Sequence, residues 1–372
     1  MGRFTYRKLN IRLTHSKYYL YAVSFVLSLV APLVTVVPTA SASATVNTYP
    51  LASGYTNPGQ MTVADDSLWY LEGTSSKPNG YIGQRTTSGT TTDYDITSLG
   101  GVSSLQLGHL TTGPDGNVWF DGCASTVGYA GFLNVSTGAV TLYQNTLLPV
   151  GSSCLNGAGP IATASDGYVW YVMQGYTSNN THTYVFAVNP ATGVTDTGTY
   201  TSDYWNISSM ANGPDGRLWL TDTSNNYNYV YAMTVSAGHW AGQSSYRITT
   251  SQYTIPNSIV AGPDGKMWFA ETGVGRIANY TTSGVLTEYS LPSGTAHPLT
   301  LTFGPDGALW FTGNAQVGRM TTTGSTTTYT IPGTGLYANP GIALGPDDAI
   351  WFDYISYTTG GTIYGLGNFT WN

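Results

Sequence analysis

Few side chains in this sequence could do chemistry. Two histidines stand in loop-like phrases, His109 in LGHLTTGPDG and His297 in TAHPLTL. An imidazole is a general acid or base near neutral pH. Carboxylates follow a recurrent tryptophan: Glu72, Asp222 and Glu271 come three residues after it, and Asp121 and Asp353 come two after it. Carboxylate oxygens can hold a hard divalent cation. Their structural alternative is a hydrogen bond to the backbone of a neighbouring unit. No G-x-S-x-G elbow, HExxH pair or D-x-D-x-D-G calcium loop is present, and no glycine-rich phrase ends in the Gly-Lys-Ser/Thr of a phosphate loop.

The elements that would position these groups are written as a repeat. Aligned on the tryptophan, the phrases are ADDSLW (Trp69), GPDGNVW (Trp119), ASDGYVW (Trp170), GPDGRLW (Trp219), GPDGKMW (Trp268), GPDGALW (Trp310) and GPDDAIW (Trp351). Successive tryptophans are 50, 51, 49, 49, 42 and 41 residues apart. A period of about 40–50 residues rich in glycine, threonine and aromatics predicts β-propeller blades. In the fifth unit a short strand ends at Ala261 and Gly262-Pro263-Asp264-Gly265 makes the turn. An alternating strand runs from Lys266 to Glu271, and two more follow at 274–280 and 285–292. That is one four-stranded blade. The turn aspartates Asp115, Asp166, Asp215, Asp264 and Asp306 read as turn formers, and the seven tryptophans as packing between blades.

An outer-strand phrase recurs as DYDI (93–96), TLY (141–143), GTY (198–200), QYTIP (252–256), TEYSLP (287–292) and TYTIP (328–332). A seventh copy, NTYPL (47–51), precedes the first tryptophan, while the last unit stops one strand short. The expectation is an all-β fold: a single seven-bladed propeller over 45–372, its ring closed by the N-terminal strand completing the last blade. Closure of this kind leaves no open sheet edge.

Residues 1–44 read as a secretory signal peptide: Arg3, Arg7, Lys8, Arg12 and Lys17, an apolar run, then small-x-small sites in PTASASA. An uncleaved anchor is the alternative. Either way the expected location is extracellular or at the cell surface. The chain carries 12 basic and 19 acidic residues. Without the five basic residues of the leader, 7 face 19, a net of −12. That balance argues against nucleic acid and anionic membranes as partners, and a monomer is expected. An exported chain with two cysteines, Cys123 and Cys154, can form one disulfide.

The phrases AGPDGKMWFAETGVGRIANYTTSGVLTEYSLP (261–292) and FGPDGALWFTGNAQVGRMTTTG (303–324) resemble the streptogramin lyase (virginiamycin B lyase) family, and the resemblance covers essentially all of 45–372. It implies a seven-bladed propeller. It also implies elimination that opens a cyclic depsipeptide antibiotic at its ester, with a base and a divalent cation, usually magnesium. Family members place the working histidines in Pro-His phrases. Here the matching slots hold Pro58-Gly59, Pro256-Asn257, Pro298-Leu299 and Pro340-Gly341, among others. His109 sits one place late and His297 two places early. On the resemblance, the base would be His109 or His297, and the cation ligands Glu271, the best match to a WF-x-E glutamate, with Glu72 or Asp222.

A second reading comes from aromatics outside the repeat phrase: Trp205, Trp240, Tyr204 and Tyr229, with Tyr176, Tyr227 and Tyr246. Rings with polar edges suit a small-molecule, glycan or peptide ligand. The expected function is therefore an extracellular binding module, with a metal-dependent carbon–oxygen lyase as the alternative.

Overall fold

The computed structural model describes residues 45–146, 158–177, 180–193, 195–196, 200–202, 205–224, 228–248, 253–295, 297–313, 316–331 and 336–370. Seven sheets, each four strands deep, form a seven-bladed β-propeller. Every second strand begins at a repeat turn and holds the tryptophan. In the fifth blade the inner strand Pro256–Ala261 pairs with Lys266–Glu271, then Arg276–Thr281, then the outer strand Leu286–Ser290. The last blade is completed by Thr45–Pro50, which pairs antiparallel with Gly361–Thr370 from Thr45↔Thr370 to Pro50↔Gly365. The ring is closed as the sequence predicts.

The repeat turn and the tryptophan are one device. The aspartate of the turn accepts a hydrogen bond from the indole Nε1 four residues later. The distances are 2.9 Å for Asp115–Trp119, 3.1 Å for Asp215–Trp219, 3.0 Å for Asp264–Trp268 and 2.9 Å for Asp347–Trp351. Asp166–Trp170 and Asp306–Trp310 repeat it at 3.2 and 3.4 Å. In the first blade, where ADDS replaces GPDG, Trp69 donates to the Ala64 carbonyl instead, at 2.9 Å. The indole N–H is thus satisfied in all seven blades, which a buried donor requires.

Six of the tryptophans also lie against the outer-strand tyrosine of their own blade. Tyr94, Tyr143, Tyr246, Tyr289, Tyr329 and Tyr49 lie 5.3–6.0 Å from their tryptophans. This corrects one assignment. QYTIP is not the outer strand of the fourth blade. That strand is His239–Arg247, and its Tyr246 takes the stacking place, 5.3 Å from Trp219. Tyr253 lies beyond it, 72% exposed. QYTIP resembles the phrase in spelling, but only SSYRI keeps the strand alternation that turns a tyrosine onto Trp219.

Packing follows from the alternation. The tryptophan faces the next blade, and the residue after it faces the previous one. Trp69 packs with Phe120 and Leu107, Trp268 with Phe311 and Leu301, and Trp351 with Tyr70 and Met61 across the closure. A third-strand residue opposite the second aromatic must often be glycine. At Gly318 a Cβ would lie 2.0 Å from Phe311 Cζ.

Removing the acceptor should strand a buried indole donor. Asp264→Ala and Asp347→Ala are each expected to lower stability by about 1–3 kcal/mol. Asp66→Asn in the first blade, where the indole uses a backbone carbonyl, should change it by less than about 0.5 kcal/mol. Urea midpoints of the three variants check this.

Candidate functional site

The ring has two distinct ends. The repeat turns lie at one. At the other, inner strands begin and second strands finish, so every candidate carboxylate lies there. Between the ends runs a central cavity of about 330 Å3 lined by the inner strands of all seven blades, among them Gln60, Thr111, Thr163, Ser209, Ser258 and Ile342. Its lining carries no charged side chain.

The inner strands are bulged near this end. In the fifth blade Asn257 pairs with Ala270 and Ile259 with Phe269, leaving Ser258 extra; the fourth blade leaves Ser208 extra in the same way. A bulge frees a backbone N–H from the ladder. The preceding blade supplies the acceptor. Gln60 Oε1 accepts from Leu110 N at 2.7 Å, Ser209 Oγ from Ile259 N at 3.0 Å, and Ser258 Oγ from Leu301 N at 2.9 Å. Channel hydroxyls thus bind blade to blade. The residue two after the tryptophan fastens the bulge within a blade. Asp121 Oδ1 accepts from His109 N and Asp353 Oδ1 from Gly341 N, both at 2.8 Å, while Thr221 and Thr312 bond Ser208 and Thr300 at 2.9 and 2.7 Å.

His109 rides on the second blade's bulge. Its Nδ1 is buried, 3.7 Å from Asp121 Oδ1, and has no hydrogen-bond partner, while 29% of the side chain is exposed. At that distance the contact is electrostatic and not a hydrogen bond. Burial raises the Asp121 carboxyl above its ordinary value against the opposing pull of His109. His297 lies elsewhere, on the segment between the fifth and sixth blades. Its Nδ1 is 2.6 Å from the Thr272 carbonyl, a distance that suits donation from that nitrogen.

Glu72, Asp222 and Glu271 occupy one register position in blades one, four and five, and each is buried, at most 1% exposed. They face the gap to the preceding blade and not the channel, since Tyr70, Leu220 and Phe269, two residues earlier on the same face, pack there. Burial, then Asp93, pushes Glu72 up to about 9. Burial, then Glu288, pushes Glu271 up to about 7, while Arg276 pulls the other way from 3.3 Å. Burial also raises Asp222, whose Oδ1 accepts from Asn206 N and Ser224 N, both at 2.9 Å. Among the described residues no three His, Cys, Asp or Glu side chains gather where one metal ion could be held. The residues that the family resemblance puts forward therefore do not fit a divalent cation: His109, His297 and the three carboxylates stand on separate elements.

Two partners of these carboxylates were not singled out from the sequence: Asp93 and Glu288. Each immediately precedes an outer-strand tyrosine, in DYDI and TEYSLP. The signal was internal. Only the blades with a glutamate three after the tryptophan carry an acid at that second place.

The aromatic candidates divide. Trp205 stacks on Tyr231 at 4.2 Å and Tyr231 on Tyr229 at 5.7 Å, a ladder at the bulged end of the fourth blade whose outer rings are partly exposed and whose middle ring is buried. Trp240 pairs with Val235 beside the hairpin at the turn end. Tyr204 and Tyr227 lie outside the described residues, as does Cys154; Cys123 is disulfide-bonded.

A profile of the virginiamycin B lyase family matches residues 156–370, more than half of the chain, and the chain belongs to that family. Among solved structures it is similar to a streptogramin B lyase, 22% identical, with 88% of this chain and 98% of that one covered at a TM-score of 0.69. It is also similar to a catalytically inactive virginiamycin B lyase from Staphylococcus aureus with quinupristin, 24% identical over 87% and 99%, TM-score 0.67. The extracellular domain of a putative hybrid two-component system from B. thetaiotaomicron matches at 16% identity and a TM-score of 0.59, with 88% of this chain and 41% of that one covered. At these identities the likeness is one of fold. No curated protein matches the chain in sequence.

The buried Glu271 gives a pH prediction. Its folded value lies above that of an unfolded carboxyl, so the fold holds the proton more tightly. The stability this provides is full below about pH 4.5 and is lost as pH rises through about 7. The expected loss is on the order of 2–3 kcal/mol, since each tenfold gain in proton affinity is worth about 1.4 kcal/mol. Glu271→Gln should flatten the decline in urea midpoint between pH 5 and 8.

Proposed function

We propose that this member of the virginiamycin B lyase family is an exported binding protein that takes an uncharged polar ligand with a flat face, a glycan or a peptide. Residues 1–44 would serve as the export signal. The observation that carries the reading is the ladder of Trp205, Tyr231 and Tyr229, whose two outer rings are partly exposed. It stands at the end of the ring where blades meet around an uncharged channel. Stacked rings offer flat apolar area to a sugar or peptide plane. The acids that would serve an elimination are instead enclosed between blades. The Staphylococcus aureus relative was solved with quinupristin, so that compound belongs among the ligands to be tested.

The test is a glycan and peptide array followed by titration of tryptophan fluorescence. Trp205→Ala should weaken binding at least tenfold while Trp205→Phe retains most of it, and Trp240→Ala at the far end should leave it unchanged. Two outcomes overturn the reading. One is a Trp205→Ala protein that binds like the parent. The other is ring-opened quinupristin after incubation with the protein and magnesium, which would make it a lyase.

A further inference from the structure

The ring closes where the N-terminal strand, Thr45–Pro50, meets the first blade. At this seam lies a cavity of about 40 Å3 lined by Tyr49, Leu51, Tyr70, Glu72, Arg85 and Asp93, among others. Glu72 is 1% exposed, and its Oε1 has no hydrogen-bond partner. Asp93, from the outer strand of the same blade, is its neighbour in both charge and hydrogen bonding.

Every charged or titratable group around the pair can be named. Tyr55 comes from the inner segment, Tyr70 from the second strand, Tyr81 and Arg85 from the third, and Tyr49 from the N-terminal strand. The cations are engaged elsewhere. The Arg85 guanidinium lies 4.0 Å over the Tyr49 ring and 5.3 Å from Trp351, and donates to the Gly89 carbonyl at 3.3 Å. Lys77, over Tyr81, is paired with Asp95 at 2.5 Å. The fifth blade makes the contrast. There the matching pair, Glu271 and Glu288, has Arg276 at 3.3 Å from both members. The seam pair has no such guanidinium, so the positive charge it needs is a proton.

We propose that Glu72 holds a proton against Asp93 at the seam and that this proton latches the ring. When it leaves, two carboxylates face one small enclosed cavity. Like charges that close in a low-dielectric gap repel strongly. The strand that gives way is Thr45–Pro50, the outer strand that no turn joins to its own sheet. It is held by one ladder to Gly361–Thr370 and by the Leu51 N–H bond to the Tyr364 carbonyl at 2.9 Å. Burial and Asp93 hold the Glu72 proton up to about 9, so the latch is shut at neutral pH and released in alkali.

The experiment is native-state hydrogen exchange on the protein from pH 6 to 10 at low temperature. Each amide rate is divided by its intrinsic rate at that pH. Protection of the amides of 46–49 and Leu51 should fall at least tenfold between pH 7 and 10, while that of 309–313 in the sixth blade changes less than twofold. Glu72→Gln should keep seam protection level across the range. If that variant does not fold, Asp93→Asn serves: it removes the opposing charge, and the fall should likewise disappear. Seam protection that tracks the sixth blade at every pH overturns the latch. So does an equal fall in both variants.

Discussion

A single buried donor, the indole N–H of the repeat tryptophan, sets the terms for this molecule. A wide aromatic ring must fill each gap between blades, and its one polar atom then needs an acceptor inside the gap. The turn supplies it. Asp264 and its counterparts shape the hairpin through their bonds to the backbone and reach the indole four residues on. The outer-strand tyrosine covers the ring on the same face of the sheet. Turn, second strand and outer strand are therefore tied in six of the blades, and the repeat phrase is as long as that tie requires. Placing the tie at one end leaves the other end to bulges, where side chains of one blade satisfy amides of the next.

This division explains where the polar chemistry went. Residues two after the tryptophan turn towards their own bulge, so Asp121, Thr221, Thr312 and Asp353 all fasten backbone or hydroxyls there. Residues three after it turn into the gap, and the side chain chosen depends on what the neighbouring outer strand offers. Glu72 meets Asp93, and Glu271 meets Glu288. Tyr354 meets Thr48 of the N-terminal strand. Members of the family can share these positions while the fold uses them for packing, because a register position fixes a direction and not a chemistry.

Much of this was legible in the sequence, and the rest had identifiable reasons to be hidden. Seven blades, the turn in each and closure by NTYPL could be read because turn chemistry and two-residue alternation act locally. The second role of the turn aspartate could not, since GPDG needs its aspartate for the turn alone. QYTIP misled because spelling was matched without counting alternation, and Tyr246 sat in a phrase that looked irregular. The candidate site was read least well. Trp205 and Trp240 share a composition but stand at opposite ends of one blade, and distance along a strand is invisible in a list of aromatics. The acid pairs were the missed opportunity, since a repeat carries its own comparison set.

That comparison bears on how the ring holds together. In a closed propeller each blade has two neighbours of the same kind, so each gap can be judged against six others. Six gaps lie between blades whose strands are consecutive in the chain. The seventh is crossed by a strand from the far terminus, which runs on into the first blade and is joined to the seventh by its ladder and not by a turn. The remaining holds on that strand are side chains. Tyr49 stacks on Trp351 at 5.4 Å, and Arg85 lies over both rings. Asn47 donates to Asn368 at 3.1 Å. A seam of this kind is the natural low-stability edge of the fold. Burying a carboxyl pair there, with its nearest guanidinium stacked on the seam's own aromatics, makes ring closure depend on the charge state of one small gap. The matching pair of the fifth blade has its arginine at hand, and it faces a gap between blades that are consecutive in the chain.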